Sequence, residues 1–120
     1  MFVFVALIMV SQQPLVPETE GIASYYTVES SSTLTASGEA MRDDLKTCAM
    51  LSGNFGDYYL VVSEFGKSVV CRLNDRGPFV EDRVIDLSEA AMRELNLEAG
   101  LVQVKVYRLG PHPPALLLQE

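Results

Sequence analysis

Closely spaced, short β-forming segments constrain the fold of this chain more than any other feature. Residues 57–63 (DYYLVVS) and 67–74 (KSVVCRLN) are rich in Val and Tyr, and residues 63–66 (SEFG) can join them as a hairpin. Alternation along the second segment gives one face of that strand three apolar side chains, those of Val69, Cys71 and Leu73. The pattern predicts two antiparallel strands with one side buried.

The rest of the chain adds further short elements. Residues 22–28 are β-forming, residues 84–85 are a short apolar stub, and residues 101–109 alternate Val with polar side chains. Residues 88–97 have helical spacing, whereas residues 39–50 are ambiguous between helix and other structure. Short strands with one or two short helices inserted favour a small closed or nearly closed β-barrel over a sheet of βαβ units.

Composition narrows the range of functions. The chain has 120 residues, enough for one small domain, and 48% of them are apolar. A net charge of −7 argues against binding to nucleic acids, which requires a basic face. Two Cys and one His are too few for a tetrahedral zinc site, so we expect no metal ligands, and His112 lies in a Pro-rich tail unsuited to a catalytic triad. The remaining possibilities are catalysis by carboxylate side chains, or binding without catalysis.

The two ends of the chain differ from its middle. Residues 1–10 are wholly apolar and span about 15 Å as a helix, half the hydrocarbon thickness of a bilayer, so we expect no transmembrane helix. Their length is that of an export signal, although its basic start is missing; a core strand or a misplaced gene start are the alternatives. We divide the chain into an apolar leader and linker (1–20), a possible signal remnant, a folded domain (21–110) and a Pro-rich tail (111–120).

Three acidic residues stand out by their context. Glu39 follows a loop of small residues, Asp75 lies in the string NDRGPF, and Asp86 precedes the predicted helix. Glu39 can simply be an exposed acid in the first turn of a helix, and Asp75 a turn residue. Asp86 can be a helix N-cap, with Glu89 completing a capping box. Because glycoside cleavage needs paired carboxylates, the three are also candidates for an acid pair on a small barrel.

Two other residue pairs leave alternatives open. One ring of the doublet Tyr25-Tyr26 should face outward from its strand, where it can line a sugar groove or be an ordinary surface residue. Cys48 and Cys71 can form a disulfide in an exported protein, or they can be two small buried thiols, as the alternation around Cys71 indicates.

Five strings of residues together resemble the rare lipoprotein A family: GIASYY (21–26), TASGE (35–39), TCA (47–49), SVVCRLNDRGPF (68–79) and RVIDLSEAA (83–91). The resemblance implies a mainly β fold, a six-stranded double-psi β-barrel related to barwin and expansins. It also implies a septal-ring lytic transglycosylase that cuts peptidoglycan glycan strands, needs no cofactor, is exported to the periplasm or cell wall, and acts as a monomer.

The resemblance also implies roles for individual residues. Glu39 and Asp75 match the catalytic acids of the family, and we expect substrate contacts from Asp86, Asn74, Arg76, Tyr25 and Tyr26. Glu39 would protonate the glycosidic oxygen, and the muramoyl 6-hydroxyl would attack the anomeric carbon to leave a 1,6-anhydro end. That role requires a raised pKa for Glu39, from partial burial or a nearby like charge. Arg72, Arg76 and Arg83 could add a local basic rim.

The chain departs from the family pattern at one position. The family has a His eleven residues after the Glu, and here that position is Met50. This departure motivates an alternative function, a non-catalytic, expansin-like barrel that binds wall glycan. A third hypothesis is hydrolysis of a β-glucan.

Overall fold

We analysed a computed structural model, which describes residues 16–31 and 33–115. Most of the predicted leader and the end of the predicted tail lie outside the described residues. In the part of the chain that the structure describes, no helix is both long enough and apolar enough to cross a bilayer.

Six strands of the described residues form a closed barrel, as the spacing of β-forming segments predicts. The strands and the helix are β1 (Thr19–Tyr25), β2 (Thr47–Ala49), β3 (Tyr58–Ser63), β4 (Ser68–Asp75), β5 (Arg83–Leu87), α1 (Glu89–Leu95) and β6 (Val102–Gly110). The order around the barrel is β1-β5-β2-β4-β3-β6, and β6 closes it by pairing with β1. The pairs β1·β5 and β2·β4 are parallel, and the other pairs are antiparallel.

The core follows the predicted alternation. Val69, Cys71 and Leu73 are all buried on one face of β4, and the hairpin between β3 and β4 is confirmed. On β6 the buried side chains are those of Val102, Val104 and Val106. Because the barrel is closed, each of the six described strands pairs on both sides, and their apolar side chains meet in the interior.

The segment before β2 is not a helix, although its apolar spacing allowed one. Leu45 is exposed, so the four-residue spacing does not produce a buried helical face. The segment is instead held as a loop, because the Met41 N–H donates to the Thr33 carbonyl and Asp43 Oδ1 accepts from the Val28 N–H. Strand β1 also begins earlier than predicted, at Thr19.

Helix α1 is capped by Ser88, so the prediction that Asp86 is the N-cap is wrong. Ser88 has an extended backbone, and its Oγ accepts from the Ala91 N–H at 3.2 Å. Asp86 lies two residues earlier, inside β5, where its backbone belongs to the sheet. The helix ends at Leu95, and Asn96 is its C-cap.

Cys48 and Cys71 are free, buried thiols, which is one of the two alternatives left open by the sequence. The parallel register of β2 and β4 sets Cys48 opposite Leu73, two residues beyond Cys71. Burial raises the pKa of the Cys48 thiol, and the neighbouring Cys71 thiol raises it further.

Candidate active site

Asp86 and Asp75 lie on either side of Ala49 in three adjacent strands. Ala49 of β2 pairs with Asp86 of β5 on one side and with Asp75 of β4 on the other. Two acids that are distant in sequence are thereby brought to neighbouring positions of one barrel wall. Ala49, between them, is buried.

A β-bulge at Asn74 determines which residue of the NDRGPF string reaches this row. Cys48 pairs with Leu73, but the next residue, Ala49, pairs with Asp75, so Asn74 is the extra residue on β4. Bulges redirect side chains, and they are frequent beside active sites. Asp75 Oδ1 then accepts from the backbone N–H groups of Ala36 and Arg76, both at 2.9 Å. These bonds orient the carboxylate and attach the small-residue loop to the end of β4.

Asp86 is the acid whose environment favours the protonated form. Its side chain is partly buried, and this desolvation raises the pKa of the carboxyl. A hydrogen bond of 3.2 Å from Ser24 Oγ and the charge of Arg83 lower the pKa, while the charge of Asp75 raises it. The net shift is upward. Such a perturbed acid beside a second carboxylate is a candidate for proton transfer.

Glu39 has the opposite environment, so the expectation of a raised pKa for this residue is wrong. Arg72 donates two hydrogen bonds to its carboxylate, to Oε1 at 2.5 Å and to Oε2 at 2.9 Å. These bonds lower the pKa of Glu39, against a smaller opposing effect of burial. Glu39 is therefore held as a carboxylate. The sequence indicated Arg72 only as part of a basic rim, because 33 residues separate it from Glu39.

Asn74 lies buried beneath this ion pair. Its backbone carbonyl accepts from the Ser37 N–H at 3.1 Å, and its side chain adds a hydrogen bond that further lowers the pKa of Glu39. Among the described residues, Asn74 Oδ1 is the buried side-chain polar atom with no hydrogen-bond partner. A buried acceptor without a partner is uncommon in folded proteins, and this one lies next to candidate catalytic groups.

Arg76 is held by contacts within the protein itself. Its Nη2 donates to the Gly53 carbonyl at 2.6 Å, and its guanidinium lies 4.2 Å from the centre of the Phe55 ring. These contacts attach the loop after β2 to the end of β4. Arg76 thus holds this loop in place, and its role in substrate binding stays a prediction.

The tyrosine doublet is divided between surface and interior, as strand alternation predicts. Tyr25 is exposed, whereas Tyr26 is buried and shares a hydrogen bond of 2.7 Å with Thr47 Oγ1. Burial raises the pKa of Tyr26 far above its usual range. The buried ring cannot stack on a sugar, so the predicted substrate contact is corrected for Tyr26 and stays a prediction for Tyr25.

Met50 occupies the position of the family His, but its side chain belongs to the core. It is buried in the apolar cluster of the barrel, and its backbone N–H donates to the Asp75 carbonyl at 3.3 Å. The position thus supports the site through its backbone and offers no proton carrier. Within the described ranges, no group of three or more His, Cys, Asp or Glu side chains could hold a metal ion.

Comparisons with known proteins show the family of the chain. The sequence model of a family described as lytic transglycolase matches residues 18–106. The endolytic peptidoglycan transglycosylase RlpA of Pasteurella multocida is 40% identical over 94 residues, which cover 75% of this chain and 32% of the relative. The probable endolytic peptidoglycan transglycosylase RlpA of Treponema pallidum is 35% identical over 113 residues, covering 92% and 35%. The chain thus spans about a third of the length of these relatives.

Solved structures show the same fold. An expansin of Clavibacter michiganensis superposes with a TM-score of 0.63 at 24% identity, over 80% of this chain and 52% of the expansin. A Streptomyces papain inhibitor superposes with a TM-score of 0.61 at 20% identity, over 79% of this chain and 98% of the inhibitor. The predicted six-stranded double-psi β-barrel is confirmed.

Proposed function

Because this chain belongs to the lytic transglycolase family, we propose that it cleaves peptidoglycan glycan strands between N-acetylmuramic acid and N-acetylglucosamine. The reaction leaves a 1,6-anhydro end and serves cell-wall remodelling or septation. The chain acts outside the cytoplasm, in the periplasm or at the cell wall, as a monomer and without a cofactor. The names of the relatives, which are peptidoglycan transglycosylases, support the substrate class.

The observation that carries this proposal is the contrast between the two acids Asp86 and Glu39. Asp86 is partly buried with a raised pKa, and Glu39 is held as a carboxylate by Arg72. A glycan-cleaving site needs one acid that keeps its proton and one that stays ionised, and environments that push two pKa values apart identify these roles. We therefore assign the acid role to Asp86, in place of Glu39.

In the proposed reaction, Asp86 transfers its proton to the glycosidic oxygen as the bond from that oxygen to the muramoyl anomeric carbon breaks. The muramoyl 6-hydroxyl then attacks the same carbon, and Glu39 accepts the hydroxyl proton. Asp75, oriented by its two backbone N–H donors, stabilises positive charge at the anomeric centre. No water is consumed, so the product is an anhydro sugar and a free 4-hydroxyl.

Asn74 and Tyr25 remain proposed parts of the substrate-binding site. Asn74 is buried and its side chain hydrogen-bonds Glu39, so its proposed part is to position that carboxylate toward the glycan. The exposed ring of Tyr25 lies on β1, next to β5, which carries Asp86, and would contact the glycan itself. Neither residue would take part in proton transfer.

Mass spectrometry of the products released from purified sacculi tests the proposal. The unmodified protein should release anhydromuropeptides or anhydro glycan fragments, whereas Asp86→Asn and Glu39→Gln should each lower the rate by at least about 100-fold. Asp44→Asn is the matched control, because Asp44 is an exposed acid paired with Arg42 on the surface. Products with unmodified reducing ends would instead indicate hydrolysis.

A second function, binding of wall glycan without cleavage, is favoured by one observation. Met50 replaces the family His and is buried in the core, so one proton carrier of the family is missing. In that case the folded protein should bind sacculi and release no anhydro product. The Glu39→Gln variant should bind sacculi as well as the unmodified protein does.

A further inference from the structure

Three apolar side chains lie exposed together beside the candidate active site. Leu51, Phe79 and Val80 are 61%, 83% and 53% exposed, respectively. They line one shallow cleft of about 400 Å³, whose polar side is formed by Glu81, Asp82 and Arg83. We call Leu51, Phe79 and Val80 the apolar ledge.

The ledge continues directly from the row of acids. Strand β2 ends at Ala49, and Leu51 follows two residues later. Phe79 and Val80 lie in the loop that leaves β4 after Asp75 and returns to β5 ahead of Asp86. Because β2 runs parallel to β4 and antiparallel to β5, the end of β2, the end of β4 and the start of β5 meet at the same edge of the barrel. The ledge therefore borders the acids at that edge.

The Phe79 ring is supported from below by a glycine. A Cβ atom built on Gly77 would lie 3.5 Å from Phe79 Cε2, so the ring lies against the bare backbone of Gly77. Gly77 also has a φ of 130°, which side-chain-bearing residues rarely adopt. The NDRGPF string itself thus positions the ring, four residues after Asp75, and the outer face of the ring is open to solvent.

We propose that the apolar ledge is a sugar subsite, in which Phe79 stacks on the apolar C–H face of a pyranose ring of the bound glycan strand. The inference rests on the proposed function, because the glycan strand that is cleaved at Asp75 and Asp86 would continue across the apolar ledge. A polymer bound across the row of acids must leave the site over its edges, and this edge combines an apolar surface with a polar rim. That combination matches a pyranose, which has an apolar face and hydroxyl groups at its periphery.

The chain contains no Trp, so a single introduced indole reports on one place. Phe79→Trp should show a blue shift and an intensity change in emission when soluble glycan strands, released from sacculi by removal of stem peptides, are added. Phe65→Trp is the matched control, because Phe65 is also 83% exposed but lies in the hairpin before β4, at the far end of that strand. Its emission should not change.

Binding provides a second measurement, independent of cleavage. In an Asp86→Asn background, which prevents turnover under the proposed mechanism, Phe79→Ala should weaken binding to the same glycan strands about 3- to 10-fold. Phe79→Tyr should retain binding, and Phe65→Ala should leave it unchanged. Thermal unfolding confirms that each variant is folded, and the emission of Phe79→Trp tests the subsite if the alanine variant is not.

Several outcomes would overturn the subsite. These are unchanged emission of Phe79→Trp while the protein binds glycan, equal losses for Phe79→Ala and Phe65→Ala, and unchanged binding for Phe79→Ala. Emission of Phe79→Trp that is blue-shifted without glycan would mean that another part of the chain covers the ledge. Emission that changes with protein concentration would mean that a second copy of the chain covers it. Failure of the proposed function is seen separately, as glycan binding through Phe79 without any anhydro product.

Discussion

Arg72 and Glu39, 33 residues apart in the sequence, form a two-pronged ion pair with N–O distances of 2.5 and 2.9 Å. This pair connects the small-residue loop to the outer face of β4, and it fixes the charge state of the Glu that the family pattern marks as catalytic. The side chains are 27% and 42% exposed, so solvent screening limits what the pair adds to stability to about 1 kcal/mol or less. Its main consequence is chemical, since a carboxylate accepts protons and does not donate them.

Removal of Arg72 should shift the acid limb of the pH–activity profile. Arg72 lowers the pKa of Glu39, so the ionised form persists to lower pH, and activity that depends on it is lost as pH falls through that pKa. In Arg72→Gln, Glu39 should protonate at higher pH and the acid limb should move upward. Arg93→Gln removes another Arg–Glu pair, on helix α1, and should leave the profile unchanged. A profile unaffected by Arg72→Gln would remove Glu39 from the reaction.

The alkaline limb should report Asp86. Its pKa is raised, mainly by burial, so the protonated form persists above the usual range of an aspartic acid, and activity declines as pH rises through that pKa. The hydrogen bond from Ser24 Oγ lowers the pKa. Ser24→Ala should therefore move the alkaline limb to higher pH, as measured by initial rates of anhydro product release. A shift in the opposite direction would contradict the assignment of Asp86 as the acid.

Asp86→Asn should make the folded protein more stable at neutral pH while abolishing cleavage. The raised pKa means that folding disfavours the ionised form, so this penalty is absent below the pKa of the unfolded state and develops as pH rises. A neutral amide avoids the penalty, and we expect a gain of about 1 kcal/mol, within the range of single stabilising substitutions. Urea unfolding at neutral and acidic pH tests this, because the gain should shrink as the pH is lowered.

Met50→His, which restores the family residue, should not restore a catalytic His. The Met50 side chain is buried in the core, where an imidazole would have to leave water without an assured hydrogen-bond partner. We expect a loss of about 2 kcal/mol in the free energy of unfolding. Met50→Leu keeps the volume and should cost less than about 1.5 kcal/mol. A Met50→His variant that is as stable as the parent and more active would show that this position can face the substrate.

The barrel could be predicted from the sequence, because alternation is a local signal that each strand carries by itself. On β6, for example, alternation alone identifies the buried face, which carries Val102, Val104 and Val106. The charge states of the acids could not be predicted, since they depend on pairs formed across the fold. The hydrogen-bonded residues Ser24 and Asp86, for example, are 62 residues apart. The bulge at Asn74 is defined only by the pairing of β2 with β4.

From the sequence, Asp86 is a candidate both for the helix N-cap and for an acid of the site, but the N-cap is Ser88. Its Oγ accepts from the N–H groups of Ala91 and Thr47, so one fully buried hydroxyl caps α1 and joins it to β2. Ser88→Ala removes the cap, for a loss of about 1 kcal/mol, whereas the Thr47 N–H keeps a second acceptor, the Leu45 carbonyl at 3.1 Å. Ser68→Ala, at the exposed start of β4, should stay within about 0.5 kcal/mol of the parent. Urea unfolding measures both losses. If Asp86→Ala destabilised α1 as much as Ser88→Ala does, the cap would have to be reassigned to Asp86.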